Sequence, residues 1–203
     1  MKAKDLAKWF LSNNSSLING YIDGNTKLNK LLYFSNLMYY SVLDKNLIEE
    51  DFERWDNGPV IKEIYKDYRY NGLCNKWNCN IKIKDKVVEQ ILRIINFVYG
   101  DMSAKRIADE SHESSIWKNT GKNQKINFKD IDINERTFMK NLYETYSCFD
   151  FENCGIEKIN GNKYLYDKRN ITITDELVLE LEKIGYNNEP MFLEMVDGEL
   201  VFS

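Results

Sequence analysis

The chain has 203 residues, of which 43% are hydrophobic and 30% charged, and its formal net charge at pH 7 is −4. This composition excludes collagen-like, coiled-coil and low-complexity proteins, and the acidic balance argues against a general nucleic-acid binder. No apolar run approaches the roughly 18 residues of a membrane span, and residues 1–10 do not form a signal peptide. We therefore expect a cytoplasmic protein with no membrane partner.

Helical periodicity dominates from residue 4 to about residue 141, where apolar residues recur three and four positions apart. A first amphipathic helix is predicted to begin at residue 4 and to extend to residue 13. Gly20 and Gly24 then predict a loop, and Thr26 is a suitable N-cap for a second helix.

This second helix is apolar on every side. One side carries Leu28, Leu31, Leu32, Met38, Tyr39 and Val42, and the opposite side carries Tyr33, Phe34, Leu37, Tyr40 and Leu43. Such a helix belongs at the centre of a bundle. Lys27 and Lys30 beside these aromatic rings could instead form a stacking surface for single-stranded nucleic acid, but that requires rings that face solvent. Rings on both sides of one helix favour core packing.

The segment after this helix changes character. An extended stretch over residues 47–55 leads into the turn Asp56-Asn57-Gly58-Pro59, and Pro59 is predicted to open a helix that Gly72 ends. The remaining helices are predicted at 87–98 between Asp85 and Gly100, at 104–111 behind Ser103, at 114–118, and at 135–147 behind Asn134.

Beyond residue 148 the pattern indicates strands. A hairpin is predicted around Asn160-Gly161-Asn162 and a second around Asp197-Gly198, with a further strand at 170–173 and a helix from Thr174 to Ile184 between them. Residues 141–203 hold 5 basic and 13 acidic side chains, whereas the preceding residues are net basic. This acidic surface could dock a basic partner, or it could simply be solvated.

Together these patterns predict a mainly α fold, a multi-helix bundle with a short extended segment, followed by a small α+β unit with two hairpins and one helix. We assign residues 1–147 to the helical domain and residues 148–203 to the acidic appendage.

The single histidine, His112, lies among Asp109, Glu110 and Glu113. An imidazole beside carboxylates can act as a base, which leaves open a hydrolytic site. However, neighbours at one helix end rarely meet as base and nucleophile, and the chain has no Gly-x-Ser-x-Gly motif. A histidine that bridges two helices is the more common case, so we predict no catalytic residue.

Four cysteines form two loose pairs, Cys74 with Cys79 and Cys148 with Cys154. Four thiolates could hold a structural zinc ion, but one spacing falls outside the usual two to four residues, and free thiols are the simpler interpretation. The acidic run at residues 49–51 fits a solvated surface better than a cation site. No phosphate loop, dinucleotide motif or metalloprotease motif is present, so no metal or cofactor is expected.

Several motifs occur together in a characteristic order. They are Thr26-Lys27-Leu28-Asn29-Lys30-Leu31-Leu32-Tyr33-Phe34, then Phe52-Glu53-Arg54-Trp55-Asp56-Asn57-Gly58-Pro59-Val60, then Ile64-Tyr65, then Ser111-His112 with Ile116-Trp117. In order and spacing this series resembles the Panacea antitoxin domain, also called the SocA-like or GepA phage-associated family. The resemblance extends to about residue 140 and leaves the acidic tail unplaced.

The resemblance implies a mostly helical, non-enzymatic domain from a toxin–antitoxin locus, often carried by phages, whose members bind and neutralise unrelated toxins. One member instead delivers its toxin to a protease. Most of the matching residues are then structural: Lys27, Leu28, Lys30, Leu31, Leu32, Tyr33, Tyr65, His112 and Trp117. The partner-binding surface is placed on the exposed part of Trp55, Asp56, Asn57, Gly58, Pro59 and Val60.

Our leading hypothesis is an antitoxin that binds a cognate protein toxin and occludes its active site. Two alternatives use the same scaffold, either to block a host defence complex, with the acidic tail mimicking nucleic acid, or to present the toxin to a host protease. A third keeps His112 as part of a hydrolytic enzyme.

Overall fold

The computed structural model describes residues 1–18, 21–76, 81–187, 190–196 and 199–202. The chain divides into two compact units, Met1–Cys148 and Phe149–Ser203. The first is helical and the second is a small sheet with one helix, which confirms the expected fold class. The assignment of 1–147 and 148–203 as separate domains stays a prediction.

Seven helices and one short hairpin build the first unit in its described residues. The helices are α1 (Ala3–Asn13), α2 (Tyr21–Leu43), α3 (Lys62–Tyr70), α4 (Lys86–Tyr99), α5 (Ala104–Glu113), α6 (Ser115–Asn119) and α7 (Ile133–Tyr146). The hairpin consists of β1 (Glu53–Trp55) and β2 (Gly58–Val60). Short 3₁₀ turns occur at Ser15–Leu17, Leu73–Lys76 and Phe128–Asp130.

Helix α2 is the centre of this unit, as its apolar circumference predicts. It contacts α1, α3, α4, α5, α7 and the hairpin strand β2. The rings of Tyr33, Phe34 and Tyr40 are buried, and Phe34 stacks on Tyr99 of α4 with the ring centroids 4.4 Å apart. Core packing is therefore confirmed for these rings, and they offer no solvent-facing platform to nucleic acid.

The start of α2 differs from the prediction. The helix already begins at Tyr21, so Gly24 and Thr26 lie inside it and neither forms the predicted loop or cap. Glycine is needed at position 24 because a Cβ there would overlap the Tyr68 hydroxyl and the Leu17 carbonyl oxygen. A close crossing of chain segments, rather than a turn, explains this glycine.

The predicted helix start at Pro59 is also wrong. Pro59 lies in β2, opposite Arg54 of β1, and α3 begins three residues later at Lys62. The backbone N–H of Arg54 donates to Gln124 and its carbonyl accepts from Asn123. Because Arg54 forms its hydrogen bonds away from β2, a proline opposite it removes no bond from the ladder.

Capping side chains set several helix boundaries as predicted. Asp85 accepts hydrogen bonds from the first turn of α4, and Ser103 does the same for α5. In α7 the cap is Asp132, two residues before the predicted Asn134. Side-chain oxygens at these positions satisfy N–H groups that have no partner inside the helix.

The second unit is a four-stranded sheet with a crossover helix. Its elements are β3 (Cys154–Ile159), β4 (Asn162–Asp167), α8 (Asp175–Leu181), β5 (Met191–Val196) and β6 (Glu199–Phe202). The strand order is β3-β4-β5-β6, in which β4 and β5 are parallel and the other pairs antiparallel. Its core consists of Ile159, Tyr164, Ile171, Leu181 and Leu193.

Both predicted hairpins are present, although the turn Asp197-Gly198 lies outside the described residues. The strand predicted at 170–173 is absent from the described structure, because the N–H groups of Asn170 and Ile171 turn back to the carbonyl of Asp167. Thr174 caps α8 as predicted, and the helix ends at Leu181 rather than Ile184.

Candidate functional site

The hairpin β1–β2 is the meeting point of the sequence motifs. Its register places Trp55 opposite Gly58, so that Asp56 and Asn57 form the turn. Asp56 and Asn57 are exposed and Trp55 is half-buried, whereas Gly58, Pro59 and Val60 are buried. Of the six residues predicted to bind a partner, the first three therefore reach the surface. We refer to Trp55, Asp56 and Asn57 as the hairpin tip.

Gly58 lies where three chain segments come into contact. Its φ of +93° is a conformation that side chains rarely adopt. A Cβ at this position would lie 2.6 Å from Cε of Lys30 and would overlap the Ser111 hydroxyl. The motifs containing Lys30, Gly58 and Ser111, distant in sequence, therefore pack directly on one another.

Lys30 fixes the hairpin to the central helix. Its side chain is 1% exposed, and Nζ donates to the carbonyl oxygen of Pro59 over 3.1 Å. Burial lowers the pKa of Lys30 from 10.5 to about 7. The predicted structural role for Lys30 is consistent with this position inside the fold.

A second connection from α2 runs through amide side chains. Asn29 Oδ1 accepts from the N–H of Ile61 over 3.0 Å, and its Nδ2 donates to Asn25. The Asn25 amide in turn donates to the carbonyl of Tyr65 in α3 over 3.0 Å. Sequence reasoning missed this series of hydrogen bonds. Two asparagines four positions apart in an apolar helix are nevertheless a usable signal for buried polar contacts.

Three side chains, one from the hairpin and two from the helices α5 and α6, stack on one another beside β1. The Arg54 guanidinium lies 4.3 Å from the centroid of the Trp117 ring, and the His112 ring stacks on Trp117 at 4.2 Å and 26°. A cation over an indole face is an attractive contact. Trp117 thus joins α6 both to His112 of α5 and to β1.

His112 is held in an environment that disfavours its charged form. Burial lowers its pKa below 6.5, and the nearby charge of Lys30 acts in the same direction. The carboxylates next to it in sequence bind elsewhere: Asp109 pairs with Lys105 over 3.0 Å and Glu113 with Lys118 over 2.7 Å. The buried Nε2 has no hydrogen-bond partner among the described residues. Asp109 and Glu113 are thus paired with lysine side chains of their own helical neighbourhood.

The remaining motif residues lie in or beside the core. Leu28, Leu31 and Leu32 are fully buried, Tyr33 shares a 2.5 Å hydrogen bond with the Ser114 hydroxyl, and Lys27 Nζ donates to Ser16 over 2.6 Å. Tyr65 packs against Trp55 with ring centroids 5.2 Å apart and the rings tilted by 59°, and so supports the hairpin tip from α3.

Ion pairs also hold the outside of the hairpin. Asp56 pairs with Lys122 over 2.6 Å, and Lys125 pairs with Asp51. Lys122 hydrogen-bonds Asp56 strongly enough to lower the pKa of that carboxyl. Sequence reasoning missed the pairing of residues 122–125 with the hairpin segment.

No metal cluster occurs within the described ranges, where no three His, Cys, Asp or Glu side chains are placed to hold an ion. Cys148 and Cys154 are free thiols. Cys79 and the side chain of Cys74 lie outside the described residues, so the four-cysteine hypothesis concerns positions that the structure does not describe together.

The model of the family described as antitoxin SocA-like, Panacea domain matches residues 28–118 of this chain. That span runs from α2 through the hairpin to Trp117 and contains the quoted motifs except Thr26 and Lys27, which confirms the resemblance over these residues but not its expected extent to about residue 140. Neither the curated proteins nor the solved structures contain a match. Across the described residues, no helix is long and apolar enough to cross a membrane.

Proposed function

We propose that the protein is an antitoxin that neutralises a cognate protein toxin by binding it and covering its active site. The match of residues 28–118 to an antitoxin-like domain carries this proposal. The packing of the matched motifs supports it, because their side chains fix the hairpin against the helices.

The hairpin tip is the proposed contact surface. Trp55 is half-buried against Tyr65, and Asp56 and Asn57 are exposed. Tryptophan is among the residues that dominate binding energy at interfaces. A tip held in place by Lys30 and Gly58 loses little conformational freedom when it binds, and such preorganisation favours affinity.

Co-expression with the protein encoded by the adjacent gene tests the proposal. We expect the neighbour to arrest growth, the present chain to restore growth, and the two proteins to co-purify. Asn57→Arg adds a large charged side chain at the exposed tip and should weaken both rescue and co-purification. Phe138→Ala removes an exposed ring on α7 and should leave both unchanged, as a matched surface control.

A neighbour that is neither toxic nor bound would contradict the antitoxin role. Full rescue by Asn57→Arg would instead contradict the assignment of the tip. Toxin abundance separates occlusion from delivery to a protease, since only delivery shortens the lifetime of the toxin. Loss of rescue in a folded His112→Gln protein, with the complex still formed, would favour the enzymatic alternative.

A further inference from the structure

Helix α3 presents a row of positive charges beside the hairpin tip. Lys62, Lys66 and Arg69 are exposed and recur four and three positions apart, so they line one outward side of the helix. The side that carries Ile64 and Tyr68 is buried. We refer to Lys62, Lys66 and Arg69 as the α3 ridge, whose ends the helical rise places about 10 Å apart.

No ion pair neutralises the α3 ridge within the part of the chain that the structure describes. Lys62 and Lys66 form no contact with a carboxylate there. Arg69 donates to the hydroxyl of Tyr65 over 2.5 Å, so its hydrogen bond leaves the positive charge uncompensated. Uncompensated charge on an exposed helix is available to a partner of opposite sign.

The carboxylates of α3 itself belong to another side of the helix. Glu63 lies close enough to Lys2 and Lys4, at the start of α1, to raise the pKa of both amines. Asp67 is buried and pairs with Lys4 over 2.6 Å. Both acidic residues are therefore directed toward α1, and the α3 ridge keeps its three positive charges.

Aromatic rings connect the α3 ridge to the hairpin tip. Trp55 packs against Tyr65, and its indole N–H donates to the Glu53 carboxylate over 2.9 Å. The Arg69 guanidinium lies 5.9 Å from the centroid of the Tyr65 ring and 5.5 Å from that of Tyr70. Tyr70 is 69% exposed. Tryptophan, tyrosine and arginine are the residue types that dominate binding energy at protein interfaces.

The amount of charge favours a protein partner over a nucleic acid. A surface that binds DNA typically contacts about six to ten phosphates. The α3 ridge offers three cations, and the whole chain carries a formal net charge of −4, which repels a polyanion at long range. An acidic patch on a protein needs only a few short-range charge pairs.

We propose that the α3 ridge and the hairpin tip form one surface that binds an acidic segment of a partner protein. Carboxylates of that segment contact the α3 ridge, and an apolar side chain packs on the rings of Tyr65 and Tyr70. The identity of this partner as the toxin rests on the proposed function, whereas the surface and the charge that it selects do not.

Peptide binding to the full-length chain tests the inference without the toxin. The probe is a labelled synthetic peptide in which glutamate and leucine recur three and four positions apart, so that both lie on one side of a helix. Its counterpart has lysine in place of glutamate. We expect the glutamate peptide to bind more tightly and its affinity to fall as salt is raised, as fluorescence anisotropy measures.

Two double variants locate the contact. Lys62→Glu with Lys66→Glu reverses two exposed charges and keeps a high helix propensity. It should weaken binding of the glutamate peptide about tenfold, because two surface charge pairs become repulsions. Lys129→Glu with Lys140→Glu makes the same charge change at exposed positions outside α3 and should leave the affinity unchanged.

Tyr70→Ala tests the aromatic part of the surface. The ring is exposed, so its removal should leave the fold intact and weaken binding of the glutamate peptide. Phe138→Ala removes a ring that is 57% exposed on α7 and should have no effect on binding.

The same variants, co-expressed with the protein encoded by the adjacent gene, extend the test to the toxin. We expect Lys62→Glu with Lys66→Glu to reduce co-purification and the Lys129→Glu with Lys140→Glu control to retain it. A neighbour that does not bind the natural chain contradicts the proposed function alone, and the peptide result then decides the inference. A neighbour that binds both double variants equally rejects the toxin as the occupant of this surface, while the antitoxin role stands.

Equal binding of the lysine peptide, or equal losses in the two double variants, would overturn the inference. Labelled single-stranded RNA and duplex DNA complete the test. If either binds more tightly than the glutamate peptide and is released by Lys62→Glu with Lys66→Glu, the surface takes phosphate groups and the acidic protein partner is rejected.

Discussion

The buried amine of Lys30 lies near the imidazole of His112 at the hairpin. Lys30 and His112 both have pKa values below their ordinary values, chiefly because burial disfavours their charged forms. The sequence placed both residues in the matching motifs. It did not reveal that Lys30 is buried, because a lysine in a helix usually extends to solvent.

The pH dependence of stability should report on Lys30. In the unfolded chain its amine titrates near 10.5 and in the folded chain near 7. Between these values the unfolded state binds more protons, so this group makes the free energy of unfolding rise with pH, by up to about 1.4 kcal/mol per pH unit. Lys30→Met should remove that contribution, which urea titrations across the window can measure.

The comparison with Lys30→Met is a difference measurement, so the other titrating groups largely cancel. We expect the stability advantage of the variant over the natural chain to be greatest near pH 7 and to shrink as the pH rises. Parallel stability curves would show that Lys30 is charged in the folded chain.

At the scale of elements, sequence reasoning succeeded where one local pattern determines the structure. The apolar circumference of α2 predicted its central position, and the caps of α4 and α5 predicted where those helices begin. Pattern reasoning failed where a contact distant in sequence determines the secondary structure. Pro59, for example, lies in a strand because it pairs with β1. It failed likewise at Gly24, which lies inside α2 at a close approach of Tyr68 and Leu17.

The roles of the site residues stay a prediction, and their geometry was not predictable from the sequence. The motifs named Lys30, Gly58, His112 and Trp117, yet only the fold shows that they meet around one hairpin. The burial of Pro59 and Val60 also escaped prediction, because exposure depends on tertiary neighbours that a turn motif does not specify.

The hairpin should be sensitive to the smallest added side chain. Gly58→Ala combines a positive φ with contact against Lys30 and Ser111, and we expect it to lower the free energy of unfolding by about 2–4 kcal/mol. Gly72→Ala is the matched control, because Gly72 also has a positive φ but a Cβ there would meet nothing closer than 3.6 Å. Urea unfolding of both variants measures the difference.

A Gly58→Ala protein no less stable than Gly72→Ala would mean that backbone conformation alone limits position 58. A larger loss at Gly58 assigns the excess to the crowding between β2, α2 and α5.

At the scale of the whole molecule, the chain contains two cores of different kinds. The first is organised around α2, and the second lies between one sheet face and α8. The change of charge and periodicity near residue 148 is the sequence feature on which the predicted domain boundary rests. Separate cores predict separate responses to damage.

Leu181→Ala tests this separation. Leu181 is fully buried in the second core, and its truncation should cost about 2–5 kcal/mol. In hydrogen exchange we expect the amides of β3–β6 to lose protection while those of α2 retain theirs. Leu179→Ala, at a position 59% exposed on the same helix, should change neither. Loss of protection in both units would show that they unfold as one.

The boundary between surface and interior falls between two adjacent residues of the hairpin, Asn57 and Gly58. If the hairpin tip binds the partner as proposed, folding and recognition belong to different side chains of one short segment. Asp56 and Asn57 can then be substituted during evolution while the buried residues that anchor the hairpin, Gly58, Pro59 and Val60, are retained. The same division makes the loop a natural place to randomise a combinatorial library when new specificities are sought.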